Sequence, residues 1–177
     1  MIFTNFAMEN KINQCMIYSN QQVRRQDRLL EEKQAIRLLK ESEYGVLSIQ
    51  SDKAGVYGLP IDYVWDGESS LYLHCAPEGH KLDCIAKYPK VSFCIIGHTN
   101  VISNKFTTAY ESIILTGEAH IGLSSEEKMK ALKLILQKYC PNDQVIGQKY
   151  AEKSFHRTEV IRIYIDKFSG KCKCIHP

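Results

Sequence analysis

The sequence predicts a mainly β protein with α helices: an antiparallel sheet closing on itself into a small barrel, with helices packed outside. Three observations point there. Six segments carry strand-like apolar patterns, the first three follow one another in hairpin order, and about three amphipathic segments are interspersed irregularly rather than in a strand-helix-strand repeat. The chain has 177 residues, of which 44% are hydrophobic and 24% charged, the balance of one globular domain able to bury a core without disulfide or metal staples.

Residues 1–23 are rich in Asn and Gln and lack periodicity, so they read as a loosely held extension ahead of a domain spanning 24–177. From Asp27, a reasonable N-cap, Leu29, Ile36 and Leu39 recur at helical spacing among Glu, Lys and Arg. Tyr44 to Ile49 then reads as a strand, Asp52 to Gly55 as a turn and Val56 to Val64 as the returning strand. Asp66-Gly67 is a tight-turn pair, and Ser70 to Cys75 is a third strand with Leu71, Leu73 and Cys75 on one face and Tyr72 and His74 on the other.

Ala76-Pro77-Glu78-Gly79 breaks that strand, and His80 to Tyr88 forms a helix stopped by Pro89. Val91 to Ile96 and Glu111 to Ala119 are the fourth and fifth strands, separated by a polar segment, His98 to Thr108, that reads as a surface loop. Ser124 to Glu127 matches a capping box opening a helix that ends near Cys140-Pro141. Val160 to Ile165 is the last strand, with Ser169-Gly170-Lys171 a turn after it.

Composition narrows the function classes. Twenty-three Lys and Arg against twenty Asp and Glu leave a net charge of +3, too little for nucleic acid or an anionic membrane as the main partner, so any phosphate is to be sought at a local site. The apolar runs Cys15–Tyr18 and Phe93–Ile96 are only four residues long, against the roughly twenty a membrane-spanning helix needs. Seven cysteines, an odd number, several of them inside apolar runs, together with the absence of a secretory signal pattern, point to free thiols and a cytoplasmic location.

Several motifs could carry chemistry. Leu71 to Asp83 runs from strand through a Gly-containing turn into a helix opening on His80 and Lys81, which is either an anion site at a helix N-terminus or a plain turn with a surface lysine. Gly58-Leu-Pro-Ile-Asp-Tyr63 places a proline within a strand, which implies an edge position whose free backbone groups a flat heterocycle could engage, or simply an edge. His74 sits on the face away from the leucines, and an imidazole is the side chain suited to proton donation near neutral pH. Cys172, Cys174 and His176 lack a fourth ligand, so no metal is assigned. The Arg24-Arg-Gln-Asp-Arg28 cluster reads as a solvated face with local ion pairs, and neither a Ser-His-Asp order nor a GxSxG elbow is present.

In order and spacing, Arg24 to Arg28, Gly58 to Tyr63, Leu71 to Lys81 and Ser169 to Lys171 together resemble the nitroimidazole-resistance (Nim-type) branch of the pyridoxamine 5′-phosphate oxidase-like flavoproteins. That resemblance implies a six-stranded split β-barrel homodimer holding two flavin mononucleotide (FMN) molecules at the subunit interface, with FAD a possible substitute. It implies that Leu59, Pro60, Ile61 and Asp62 line the isoalloxazine through their backbone and that Ala76, Gly79, His80 and Lys81 hold the phosphate, with His74 and Cys75 in between. The segment from Asn104 to Ser112 would come from the second subunit, Ser112 included. His74 would donate a proton or orient the substrate, in a two-electron reduction of a small-molecule oxidant, the nitro group of 5-nitroimidazole drugs. The oxidase branch's Arg-x-Val-Leu-Leu-Lys strand and Ser-Arg-Lys triplet are missing, which argues against pyridoxamine phosphate oxidation. The alternatives are a flavin-binding module without turnover, and a split barrel holding haem with His74 or His80 as axial ligand.

Overall fold

A computed structural model describes residues 16–174. Its elements are β1 (Ile17–Tyr18), α1 (Glu32–Glu41), β2 (Tyr44–Ser51), β3 (Gly55–Asp62), β4 (Val64–Trp65), β5 (Ser70–Cys75), α2 (His80–Lys87), β6 (Lys90–Ile102), β7 (Thr107–His120), α3 (Ser125–Tyr139), α4 (Gln144–Ser154) and β8 (Glu159–Lys173). The eight strands form one sheet in the order β3-β2-β6-β7-β8-β5-β4, with β1 added beside β8. Every pairing is antiparallel except the short parallel contact of β1 with β8.

The sheet curls until β3 approaches β5, but no ladder joins them, so the barrel is split along that line. Inside the curl lie Leu47, Ile49, Leu71, Leu73, Phe93, Ile95, Ile113, Leu115, Ile161 and Ile163, capped by Leu38 and Leu39 of α1 and Leu82 and Ile85 of α2. A second, smaller core forms where α3 and α4 cover the opposite face of β5 and β8 and bury Tyr72, Val160, Ala131, Leu132 and Ile135. This second layer explains why Tyr72 is buried while His74, two residues on and on the same face, is exposed: the helices cover one and not the other.

Two strands and one helix exceed the sequence expectation. β1 and β4 have two residues each, too short to carry a period. β1 falls in the segment set apart as an extension, yet Ser19 N–H donates to Phe168 O at 2.9 Å and Gly170 N–H to Asn20 Oδ1 at 3.1 Å, which tie it to β8. Residues 1–15, with Cys15, and 175–177, with His176, lie outside the described residues. The additional helix, α4, turns Val145, Ile146 and Tyr150 outward at 73%, 71% and 69% exposure, so its apolar pattern does not mark its buried face.

Three other expectations need correction. α1 starts at Glu32 rather than near Asp27: Glu31 and Gln34 form the capping box, and Asp27 sits in a 3₁₀ turn paired with Arg25. His98 to Thr108 is not a loop. β6 and β7 continue through it as a hairpin extension closed by a 3₁₀ turn at Ser103–Lys105, and its polar composition reflects two uncovered faces. Ser169-Gly170-Lys171 is not a turn either, because β8 runs through it. Gly170 is needed there for close approach, since a Cβ would meet Leu30 Cβ at 2.8 Å and Tyr18 Oη at 3.0 Å.

Candidate functional site

The split in the barrel brings together most of the residues singled out from the sequence. β3 pairs with β2 alone, so the backbone groups on its other side face the split without strand partners. Pro60 sits in this edge strand, where its missing N–H removes no central ladder bond. Tyr57, Leu59 and Ile61 turn inward and pack on the core, while Gly58, Pro60 and Asp62 are exposed on the outer face.

Across the split, β5 ends at His74 and Cys75, and the chain turns through Ala76–Gly79 into α2. Gly79 is the N-cap at φ 129°, a conformation suited to glycine, and no side chain caps the helix. A Cβ built on Gly79 would meet nothing within 4 Å, and no side chain takes the first N–H groups of α2. With the helix dipole and the half-buried Lys81 beside them, they form a cradle suited to a phosphate. Lys81 also reaches Cys75: burial pushes the Cys75 thiol up, and the Lys81 ammonium pulls it the other way.

The structure distinguishes two roles within His80. Its imidazole turns back toward the sheet, with Nε2 3.0 Å from Ser51 Oγ and 3.5 Å from Cys84 Sγ, and its ring packs edge-on against Tyr57 at 5.2 Å. Its side chain thus pins the start of α2 to β2 and β3, which leaves only its backbone N–H at the helix start. His74 remains exposed on the outer side of β5, opposite Val160, and is the protonatable side chain nearest Cys75 along β5. Ser112, half-buried on β7 between Ile96 of β6 and Lys171 of β8, is not part of this cluster. In the strand order β2 and β6 lie between it and β3, so one chain does not bring it to the split.

The sequence reading missed the clamp that fixes the end of β3. Lys138 of α3 donates from Nζ to Ser42 O at 2.6 Å and to Tyr63 O at 2.8 Å, and its ammonium lies 3.9 Å from the Tyr63 ring centroid. The Tyr139 hydroxyl contacts the Glu43 carbonyl, lies 2.7 Å from Tyr63 O and accepts from Tyr63 N–H at 3.0 Å. Together they set the backbone immediately after Asp62. The one available signal was a lysine three places after Ile135, on the apolar stripe of α3.

Burial lowers the Lys138 ammonium from the usual 10.5 to about 8, with Asp62 and Glu43 opposing the shift. Between those values the unfolded chain binds the extra proton, so stability should rise with pH from about 8 toward 10.5. Above pH 10 the sign reverses, because Tyr63, Tyr72 and Tyr139 are held above the usual 10.0, mainly by burial, and the unfolded chain then loses its phenolic protons first. Cys75, Cys94 and Cys172, held above the usual 9.0 mainly by burial, oppose the rise from about pH 9, so the Lys138 contribution is read by comparing urea midpoints of wild type and variant between pH 7 and 9. A Lys138→Met variant should lose the rise between 7 and 9, and an unchanged rise would remove Lys138 as its source.

Two larger grooves lie elsewhere. One, of about 810 Å³, runs between α3 and the β4–β5 turn and is lined by Tyr72, Glu127 and Arg162. The other, of about 530 Å³, lies over the outer face of β7 and β8. Among the described residues no helix is long and apolar enough to cross a membrane.

Comparison with known proteins gives three kinds of result. The sequence model of a family described as pyridoxamine 5′-phosphate oxidase matches residues 31–172. No curated protein sequence matches the chain. Among solved structures, a candidate 5-nitroimidazole antibiotic resistance protein from Bacteroides thetaiotaomicron superposes with a TM-score of 0.69 at 18% identity, over 82% of this chain and 86% of that one. An FAD and haem binding protein from Mycobacterium smegmatis gives 0.69 at 17% identity, over 85% and 75% of the two chains. An FAD-binding protein from Mesorhizobium loti gives 0.57 at 19% identity, over 83% and 98%. At these identities the likeness concerns the fold, which is the split antiparallel barrel described above.

Proposed function

The chain belongs to the pyridoxamine 5′-phosphate oxidase family, and from that premise we propose that it is an FMN-dependent reductase of nitro compounds, of the 5-nitroimidazole type, working as a homodimer. The observation that carries the reading is the pairing, across the split, of an uncapped α2 start at Gly79 beside Lys81 with the unpaired edge of β3. One end suits a phosphate and the other a flat heterocycle with hydrogen-bonding edges. The candidate resistance protein among the structural neighbours is consistent with a nitroimidazole as oxidant.

In this reading the backbone of Leu59, Pro60, Ile61 and Asp62 holds the ring, and the clamp of Lys138 and Tyr139 keeps that backbone in place. Lys81 and the N–H groups of Gly79 and His80 balance the phosphate charge, and the His80 imidazole on Ser51 and Tyr57 fixes the distance between the two ends. Bound flavin would supply the electron pair. His74, exposed at the end of β5, would deliver a proton to the nitro oxygen as that pair arrives, one of the two protons needed when nitro becomes nitroso and water leaves. What supports the homodimer is the outer sheet face near β3, where Tyr44 and Ile96 are 59% and 57% exposed, and the distance of Ser112 from the split within one chain.

The visible spectrum of the purified protein tests the reading. A flavin doublet is expected, bleached by a reductant and restored by a 5-nitroimidazole. A haem Soret band, or a colourless protein that takes up no added FMN, would overturn the flavin assignment, and bound flavin that no nitro compound reoxidises would overturn the activity.

A further inference from the structure

Cys172 and Cys174, which lack the further ligands a metal needs, meet as a pair of thiols. Residues two apart on a strand point to one side, and β8 carries Cys172 next to its last residue, Lys173, with Cys174 just beyond. The ladder with β7 ends at the pair Tyr110–Lys173, and past it the Cys174 thiol comes into hydrogen-bond contact with that of Cys172. Among the described residues no group of three or more metal-ligating side chains forms, here or elsewhere. Two thiols in contact, with no third ligand beside them, are placed to close into a disulfide.

The two differ in access. Cys174 is the only exposed cysteine among the described residues, whereas Cys172 is half-buried and packs against the main core. An oxidant arriving from solvent therefore meets Cys174 first, with Cys172 held behind it as the resolving thiol. Burial pushes the Cys172 thiol up, and Cys174, Glu111 and Glu31 act in the same direction, which keeps it protonated while Cys174 is intact. Cys172 also has a structural task. Its thiol donates to Leu29 O at 3.4 Å, beside the bridge of Leu29 with Lys171 and the bond from Leu30 N–H to Gly170 O at 3.1 Å. These contacts hold the buried Leu30 against β8, and the Leu30 carbonyl in turn accepts from the Tyr18 hydroxyl. Cys172 thus ties the segment ahead of α1 to the end of the sheet.

We propose that Cys172 and Cys174 are a peroxide-sensitive dithiol whose closure releases Leu29. The Cys174 sulfur, as thiolate, attacks one oxygen of hydrogen peroxide; the O–O bond breaks, the departing hydroxide takes up the thiol proton as water, and a sulfenic acid remains. The Cys172 sulfur then attacks that of Cys174, the S–O bond breaks, and a second water leaves with the Cys172 proton. Two thiols are oxidised to one disulfide while one peroxide is reduced to two waters. The Cys172 S–H is consumed, so Leu29 O loses its donor. The pair stands apart from the flavin reading, because Cys172 faces Leu29, on the side of β8 opposite the cross-strand neighbours Lys171 and Ser112, and neither Lys81 nor the edge of β3 takes part.

Mass mapping of the full chain, reduced and then treated with equimolar hydrogen peroxide, tests this. The peptide cut before Asp166, which carries both cysteines, is expected to lose the mass of two hydrogens and to regain two alkylable thiols with dithiothreitol. Cys172→Ser should leave Cys174 as a sulfenic acid that dimedone traps at least about tenfold more than in wild type, where the neighbouring thiol captures it first. Amide exchange at Leu30 should rise about two- to fivefold on oxidation, the effect of losing one weak hydrogen bond, and fall back on reduction. In Cys174→Ser, which keeps the Cys172 S–H, that exchange should not respond to peroxide. Equal dimedone trapping in wild type and Cys172→Ser, oxidation of Cys75, Cys94 or Cys140 ahead of Cys174, or a disulfide linking two chains would overturn the pair. Unchanged exchange at Leu30 after full closure would overturn the release of Leu29. None of these readouts depends on flavin, which the visible spectrum reports separately.

Discussion

Replacing Gly117 with alanine should leave almost no folded protein. A Cβ at this position would fall 1.8 Å from Tyr164 O, 2.8 Å from Tyr164 C and 3.3 Å from Ile165 Cα. All three are backbone atoms of β8, so no side chain can rotate away. Gly117 also sits where the β7–β8 register shifts, between the pairs Thr116–Lys167 and Gly117–Ile165, with Asp166 taking the extra place. Making room means separating the two strands by more than an ångström, and the pairs beyond the shift, Glu118–Tyr164 and Ala119–Ile163, hold Ala119 and Ile163 in the core. A loss of at least about 4 kcal/mol is expected, comparable to the whole stability of many domains. Gly55→Ala is the control: its φ is 68°, nothing lies within 4 Å, and only the backbone strain of about 1 kcal/mol is expected. Soluble yield and urea midpoints compare the two, and a Gly117→Ala midpoint equal to wild type would mean the strands do not approach this closely.

Gly117 also marks a limit of what the sequence conveys. A strand with one buried face was legible: β2 alternates between buried and less buried positions and forms the expected hairpin with β3, while β5, covered on both faces, was marked by the Asp66-Gly67 turn before it. Elements without a one-sided environment were not. The outer part of β6 is exposed on both faces and that of β7 half-buried on both, so neither carries a period, and α4 keeps its large apolar residues outside. The open line between β3 and β5 depends on the curl of the whole sheet, and nothing in either strand's sequence states it.

The site divides in the same way. Pro60 announced an edge strand and Gly79 a helix start, because each is a local backbone requirement readable from one residue. The Lys138 and Tyr139 clamp was hidden, since it joins groups 75 and more residues apart through long side chains. For His80 the sequence indicates a place at the helix start but not where its ring goes, which the position of Ser51 and Tyr57 decides. The Arg24–Arg28 cluster read as a solvated face with local ion pairs, and so it is: Asp27 pairs with Arg25 and Arg28 while Arg24 stays exposed.

His74→Ala should lower nitro-compound turnover about a hundredfold while flavin stays bound, the size of effect usual for removing a positioned proton donor. Little stability is at stake. His74 is exposed, and α3 packs on Tyr72 but not on it, so the unfolding midpoint should stay within about 0.5 kcal/mol of wild type. Flavin should stay because the proposed anchors are backbone groups of β3 and α2 together with Lys81, none of which depends on the His74 side chain. Lys81→Ala gives the opposite pattern: flavin affinity falls at least about tenfold, as expected for losing a charge-assisted phosphate contact, and turnover recovers when FMN is added in excess. His74→Gln separates the two ways the imidazole could act, since an amide can orient a nitro oxygen but cannot deliver a proton at neutral pH. A rate in the glutamine variant near that of the alanine variant assigns proton delivery, and a rate near wild type assigns orientation. Wild-type turnover in His74→Ala with saturating reductant would take His74 out of the chemistry altogether, leaving the proton to solvent entering through the open split.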